Sequence, residues 1–437
     1  MTLETAVNCW RPLAGAVFGL LLPCAGQAQS FTWQGGAQAR LESNSNPGLQ
    51  QDGGATLVSR TVSGSLNAQA NTETAQTQGD AELILTPNER GSSTSALGRL
   101  SLRHQLSTPR DTWTGNFAYR RDRTLGGAES SSSSSTTTTT NNTNTTASAA
   151  DVSVGRTERT VGEANLSWSH AFSERLSSEL DASHARTGYR AAVVGNNYAL
   201  SSVSAGLRHA WRETTSLSAT LSHTEQRPQG ASPATARARI DSLRLSVNEV
   251  VSETASAGVS IAQSTTTRDF TLFSPVCPLP VQFCQGGIVR YVLAATPVRT
   301  RGHDLQYSAN ASLRWDETTA AAARVARSLS PGALGVTRED VLSLSVSRSF
   351  SEHSSAGLAF DLSRSLQAAG AAGTTGGASA TLRSLTLTAS HRLGEQLTLS
   401  TQLQQRHYQR PSPQVGATAT VFSISLKYQG ATVPSWR

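Results

Sequence analysis

Apolar and polar residues alternate over many short stretches of this chain. Leu305, Tyr307, Ala309, Ala311, Leu313 and Trp315 interleave with Gln306, Ser308, Asn310, Ser312 and Arg314. The same period runs through Gly162, Ala164, Leu166, Trp168, His170 and Phe172, through Val203 to Trp211, and through Thr420 to Tyr428. Successive side chains of an extended strand point to opposite faces, so each stretch has one apolar and one polar face. The only long apolar run, at 13–24, is shorter than the roughly 20 residues of a spanning helix. The pattern therefore predicts strands and no membrane helix.

A second period groups these strands into pairs. Tight turns recur around Glu174, Glu213, Glu253, Glu317, Glu352 and Glu395, just after Phe172, Trp211, Val251, Trp315, Phe350 and Leu393. One strand, a tight turn, a second strand and a longer loop make a repeat of roughly 40 residues, which is a β-hairpin unit. The long connections are predicted at 187–198, 224–237, 265–304, 328–340, 365–379 and 405–417. Short turns at one end and long loops at the other are the asymmetry of transmembrane barrels. The expected fold is all-β: one transmembrane antiparallel β-barrel of about 18 strands (16–20), with short periplasmic turns and long extracellular loops. It occupies 29–428, and 429–437 form a C-terminal tail that extends into the periplasm or folds back. The first strand, near 31–42, leaves no room for an N-terminal plug domain.

Composition sharpens this picture. Hydrophobic residues are 37% and charged residues 15%, against about 45–50% and 25% in globular proteins. A barrel that is half lipid-facing and half wet accounts for both values. The formal charge is +7, and 36 of the 37 basic residues are arginine, Lys427 being the exception. These arginines are dispersed and form no run, so no nucleic-acid partner is expected. Arg11, an apolar core at 13–22, Pro23 and the small-residue site Gly26-Gln27-Ala28 predict a signal peptide over 1–28. A lipoprotein reading on Cys24 weighs less, because Pro23 fits a lipobox poorly. Two cysteines remain after cleavage. Cys277 and Cys284 are expected to close a small disulfide in the 265–304 loop, since export implies an oxidising compartment. A Ser/Thr/Asn tract at 130–146 makes the 122–160 loop disordered by its composition, and its position in the strand count puts it outside the cell.

No catalytic constellation stands out, and no cofactor or metal site is expected. A Ser169–His184 pair can be drawn, but serine is so common here that the pairing carries little weight. Glu179 and Asp181 are in phase on one polar face, with Arg208 as the expected salt-bridge partner. The polar faces predict a lumen lined by small neutral residues such as Ser167, Ser204, Ser308, Asn310, Thr388 and Gln402. Sparse charges stand among them: Arg99, Arg103, Glu163, Glu179, Asp181, Arg208, Arg244, Arg314 and Asp361. Phe422, Ile424, Leu426 and Tyr428 form the last strand and the expected recognition signal for the barrel assembly machinery. Outer-membrane lipid and lipopolysaccharide are the other expected partners.

Three segments carry a resemblance: WTGNFAYRRDRTL (113–125), LSWSHAFSERLSSELDASHARTGY (166–189) and LRHAWRETTSL (207–217), with Asn197-Tyr198 between them. Together they resemble the proteobacterial outer-membrane β-barrels linked to exopolysaccharide and PEP-CTERM (exosortase) gene clusters. The resemblance covers 113–260, and the later hairpins match in style alone. It implies a role in polysaccharide passage or surface display. The expected function is thus a passive pore or export conduit, plausibly for exopolysaccharide. The alternative is a structural or adhesive surface barrel with a closed lumen; an outer-membrane enzyme ranks third.

Overall fold

The computed structural model describes residues 30–47, 49, 55–86, 95–123, 158–190, 197–229, 237–277, 292–332, 335–367, 379–411 and 414–434. The expected signal peptide, the tract at 130–146 and Cys284 lie outside the described residues. The strands are β1 (Ser30–Asn44), β2 (Leu57–Asn71), β3 (Ala75–Thr86), β4 (Ser95–Ser107), β5 (Asp111–Arg123), β6 (Glu158–Ala171), β7 (Leu176–Tyr189), β8 (Asn197–Ala210) and β9 (Thr215–Gln229). They continue with β10 (Arg237–Ser252), β11 (Ala255–Val276), β12 (Val292–Arg314), β13 (Thr319–Gly332), β14 (Gly335–Ser349), β15 (Ser354–Gln367), β16 (Ser379–Arg392), β17 (Leu397–Pro411), β18 (Gln414–Gln429) and the two-residue β19 (Val433–Pro434). Each of the first eighteen pairs antiparallel with its sequence neighbour. β18 pairs with β1 from Asn44↔Val421 to Gly36↔Gln429, which closes the sheet into an 18-stranded barrel.

The short turns explain the recurring aromatic–polar–Glu motif. The N–H of the aromatic or large apolar residue donates to the carbonyl four residues on: Phe172 to Leu176 at 2.9 Å, Trp315 to Thr319 at 3.0 Å, Phe350 to Ser354 at 2.8 Å. The polar residue that follows caps the returning strand. Ser173 Oγ accepts the Leu176 N–H at 3.1 Å, and Ser351 Oγ accepts that of Ser354 at 3.1 Å. Asp316 Oδ1 accepts the N–H groups of Thr318 and Thr319 at 2.7 and 2.6 Å. The Thr318 hydroxyl, donating to Oδ1 at 2.7 Å, and then these N–H bonds favour the ionised carboxylate and hold the Asp316 carboxyl below its usual range.

The apolar faces point outward. Leu166, Leu207, Leu221, Leu243, Ile261 and Phe422 are all exposed, which in a soluble protein would be a liability and in lipid is required. Beside the short turns the belt ends in aromatic rings. Trp113 and Trp168 stack at 5.6 Å, and His170 meets the Phe172 ring edge-on at 4.8 Å. Asp111 accepts the Trp168 indole N–H at 3.1 Å and sits 2.8 Å from His170 Nδ1. This is the interfacial girdle of a membrane barrel.

The long connections are shorter than expected. Within 265–304, residues 265–276 and 292–304 are strand: β11 and β12 continue in unbroken register from Ala255↔Leu313 to Val276↔Val292. Cys277 follows directly and is disulfide-bonded. Likewise 328–340 and 405–417 are mostly strand, with only 333–334 and 412–413 between the paired ends. Above the lipid the outer face of a hairpin is no longer apolar, so the apolar/polar alternation that marks the spanning part is missing there. The tail folds back. The Gly430 N–H donates to Gly35 O at 2.8 Å, and Val433 and Pro434 pair with Trp33 and Thr32.

Two segments at the long-loop end turn inward. β12 and β13 pair only from Tyr307↔Arg327 to Arg314↔Ala320, while β13 and β14 pair on to Gly332↔Gly335. Above Tyr307 the β13–β14 tip therefore parts from β12, while β14 stays paired with β15 as far as Thr337↔Gln367. Val336, 1% exposed, packs on Ala238 and Ile240 of β10 with Leu329 beside it. Its carbonyl accepts a bond from Arg268 Nη2 at 2.9 Å. Similarly Leu49, with a φ of 49°, packs against Ala380, Leu382, Tyr408, Ala417 and Ala419. The Ser45 N–H, bonded to Thr420 O at 3.0 Å, ties that segment to β18.

Candidate functional site: the barrel lumen

Strand register decides which side chains share the inner face. Glu179 lies opposite Ser169 and Gly206, Gly206 opposite Thr220, and Thr220 opposite Arg244, so Glu179 and Arg244 belong to one ring across β7–β10. Asp181 lies opposite Ser167 and Ser204, and Arg208 opposite Ser177 and Ser218. Arg99 sits between Glu82 and Arg120, Arg103 opposite Asn116, and Glu163 between Ala118 and Ala185. Arg314 pairs with Ala320, and Asp361 with Ser343 and Ser384. All nine sequence-predicted charges thus fall on the inward face. Arg99 and Asp361 stand on separate arcs of the wall from the β7–β10 ring.

Two finer expectations change. Arg208 Nη2 reaches Ser216 Oγ at 3.5 Å rather than Glu179, and Asp181 accepts a bond from Ser204 Oγ at 3.1 Å. Ser169 is on the inner face and His184 on the outer, bonded to Ser201 Oγ at 2.9 Å, so those two residues form no catalytic pair.

Hydroxyl groups dominate this face and bond across strands. Ser256–Ser312, Ser260–Ser308 and Ser355–Ser390 are each 2.7 Å apart, and Ser222–Ser242 is 2.6 Å. Two recesses open between them toward the short-turn end. One of about 470 Å³ is lined by Ser355, Ser390, Ser400, Gln402, Ser423 and Arg40. The other, about 330 Å³, lies against Ser256, Ser312, Arg314, Ser345 and Ser347. Such a surface hydrates readily and offers both donors and acceptors without fixing one ion.

Sequence reasoning missed part of the inner charge. The register adds Arg40, Glu42, Asp80, Glu82, Arg120, Asp122, Arg159, Arg268, Asp304, Arg324, Glu339, Arg392, Arg406 and Lys427. Arg40 donates to Ser423 Oγ at 2.8 Å and lies 3.4 Å from Glu42. Both signs are present, with a small excess of cations. In β5 the run Arg120-Arg121-Asp122 hides the alternation, although counting two by two from outward Phe117 puts Arg120 and Asp122 inside. Arg159 donates to both Asp122 oxygens at 3.0 and 2.9 Å, and Arg121 to Glu158 at 2.8 Å, so this motif staples the base of the β5–β6 connection.

The last-strand residues Phe422, Ile424, Leu426 and Tyr428 lie on the outer face, against Ser43, Leu41, Ala39 and Ala37 across the closing seam. Solved structures with a similar sheet are outer-membrane proteins. The ferric-catecholate import receptor Fiu from E. coli K12, in its open form, gives a TM-score of 0.46 at 9% identity, over 90% of this chain and 81% of that one. The FrpB iron transporter from Neisseria meningitidis gives 0.45 at 10%, over 90% and 64%. OccK2 (OpdF) of Pseudomonas aeruginosa, solved with glucuronate, gives 0.45 at 11%, over 91% and 98%. No protein-family model matches the chain, and no curated protein matches it in sequence.

Proposed function

We propose that this chain is an outer-membrane pore, with its short turns in the periplasm and its long hairpins outside the cell. The observation that carries the reading is the inner face of an 18-stranded barrel, where hydroxyls and amides stand among dispersed charges of both signs, at a size that leaves an aqueous channel. Neutral hydroxyls and amides can bond sugar hydroxyls in passing. Together with the resemblance of 113–260 to exopolysaccharide-linked barrels, this favours a polysaccharide conduit. The small cation excess gives a weak anion preference. The inward Leu49 segment and β13–β14 tip favour a second reading, a closed barrel that displays its outer hairpins. Planar-bilayer recording separates the two. Steady conductance with modest anion selectivity, lowered by Arg208→Ser and Arg244→Ser and transiently blocked by neutral linear oligosaccharides, is the expected result. Inserted protein that conducts nothing would leave the display reading.

A further inference from the structure

The outer face of β9–β12 changes character abruptly. Upward from the short turns it is apolar but for Gln263: Leu217 and Leu221 on β9, Val247, Leu245 and Leu243 on β10, Val259 and Ile261 on β11, Tyr307 and Leu305 on β12. These rows rise over about 14 Å of strand and form the upper part of the lipid-facing belt. A single polar row ends it, with His223 Nδ1 2.6 Å from Asp241 and His303 Nδ1 3.1 Å from Thr265. The next two outward rows carry guanidinium groups. Arg239 lies opposite Glu225 and Thr267, and Thr267 opposite Arg301. Arg237 lies opposite Asp269, and Asp269 opposite Arg299, while Arg227 contacts Glu225 from the same strand.

The cluster is charge-imbalanced and held in place. Glu225, 12% exposed, accepts bonds from Arg227 and Arg237 and lies 3.6 Å from Arg239. Asp269 accepts from Arg299 at 2.6 Å. Five guanidiniums, on β9, β10 and β12, thus face two carboxylates, Glu225 on β9 and Asp269 on β11. Arg301 is exposed and, among the described residues, makes no ion pair. Arg239 and Arg301 are two strands apart, about 10 Å, and about 7 Å along the strand above the row that ends the belt. Guanidinium forks at that spacing suit phosphate oxygens.

We infer that the Arg227–Arg237–Arg239–Arg299–Arg301 face binds the phosphate groups of an outer-leaflet phosphorylated glycolipid. Its place on the lipid side, one row above the acyl-facing belt, selects a lipid headgroup over a soluble anion, which would meet the lumen or the hairpin tips first. The inference rests on the outer-membrane location proposed above but not on conduction.

The test uses the mature full-length protein, refolded in zwitterionic detergent and checked by its unboiled gel mobility, with binding read by native mass spectrometry. Diphosphoryl lipid A should bind about tenfold more tightly than its fully dephosphorylated form. Arg239→Ser with Arg301→Ser should erase that preference, the lumen variant Arg244→Ser should keep it, and millimolar inorganic pyrophosphate should not displace the lipid. Equal binding of the two lipids to the unaltered protein would overturn the inference, as would full displacement by pyrophosphate or an unchanged preference in the folded double variant. Bilayer conductance of the same preparations tests the pore separately.

Discussion

Glu225 sits among three arginines on the outer face, and the electrostatic consequence is large for so small a feature. Bonds from Arg227, then from Arg237, hold its carboxyl down to about 2. The sign follows from linkage: a depressed carboxylate stabilises the fold fully above its ordinary value near 4.5, and that contribution disappears as the pH falls through about 2. Glu225→Gln should therefore lower the urea unfolding midpoint in detergent by the same amount at pH 7 and pH 5 and change nothing at pH 2. A loss that persists undiminished at pH 2 would mean that Glu225 acts through packing instead. The cysteines give a second residue-scale prediction. The bond at Cys277 and the expected pairing with Cys284 leave no free thiol, so maleimide labelling of the denatured, unreduced mature chain should find none, whereas two reactive thiols would refute the pairing. Neither feature was equally legible. The cysteine spacing pointed to a bridge, but the arginine face did not show, because its residues fall where alternation ends and the pattern reads as loop. Parity alone could have found it, by counting from Leu221 and Leu243 past His223 and Asp241.

The hairpin is the element the chain spells out most clearly. Lipid on one side and water on the other impose period two over about ten residues per crossing, and the turn motif punctuates it, so all eighteen spanning strands could be placed from the pattern. What the pattern lacked was each strand's outer end. β11 and β12 gain their outer halves from β-favouring residues such as Thr265, Thr266, Thr267, Val298 and Thr300, which pair without an apolar face to announce them. The closing seam shows a related limit. Sequence placed the last strand but left the fate of 429–437 open, and the structure adds them to the β1 edge through Gly430, Val433 and Pro434. At this seam a Cβ on Gly36 would lie 2.7 Å from Ser65 Oγ and 3.2 Å from Tyr428 O, so β18, β1 and β2 approach closely only with glycine there. Deleting 429–437 removes the tail pairs but leaves Val421–Tyr428 bonded to β1. That truncation should insert and show the same heat-modifiable mobility with a lower unfolding midpoint. Deleting 420–437 removes the strand that closes the barrel and the apolar quartet with it, and should abolish insertion. Equal membrane levels of the two truncations would contradict the role of that strand.

At the scale of the whole barrel, wall and lumen are separate designs joined by register: an outer face set by lipid, an inner face set by water, and a mouth narrowed by pieces of the wall itself. The β13–β14 tip can fold in because β12 stops pairing with β13 at Tyr307, which frees its edge without breaking the barrel below. What holds it there is modest. Burying the Val336 side chain is worth about 1.5 kcal/mol, and a charge-assisted bond from Arg268 to its carbonyl adds about 1.5 kcal/mol. A docking free energy of that size leaves an undocked state populated at the per cent level. Removing either partner should therefore release the tip. In bilayer recordings Val336→Ser and Arg268→Ala should each raise the mean conductance and the fraction of time in the larger state, with Arg268→Ala also reducing anion preference because it removes an inner cation. Replacing 329–338 by a two-residue turn should give the larger state alone, with heat-modifiable mobility unchanged since every strand pair below Tyr307 remains. Identical conductance in all three variants and in the native chain would show that the tip lies clear of the conducting path, and that whatever limits flow is the hydroxyl-lined ring nearer the short turns.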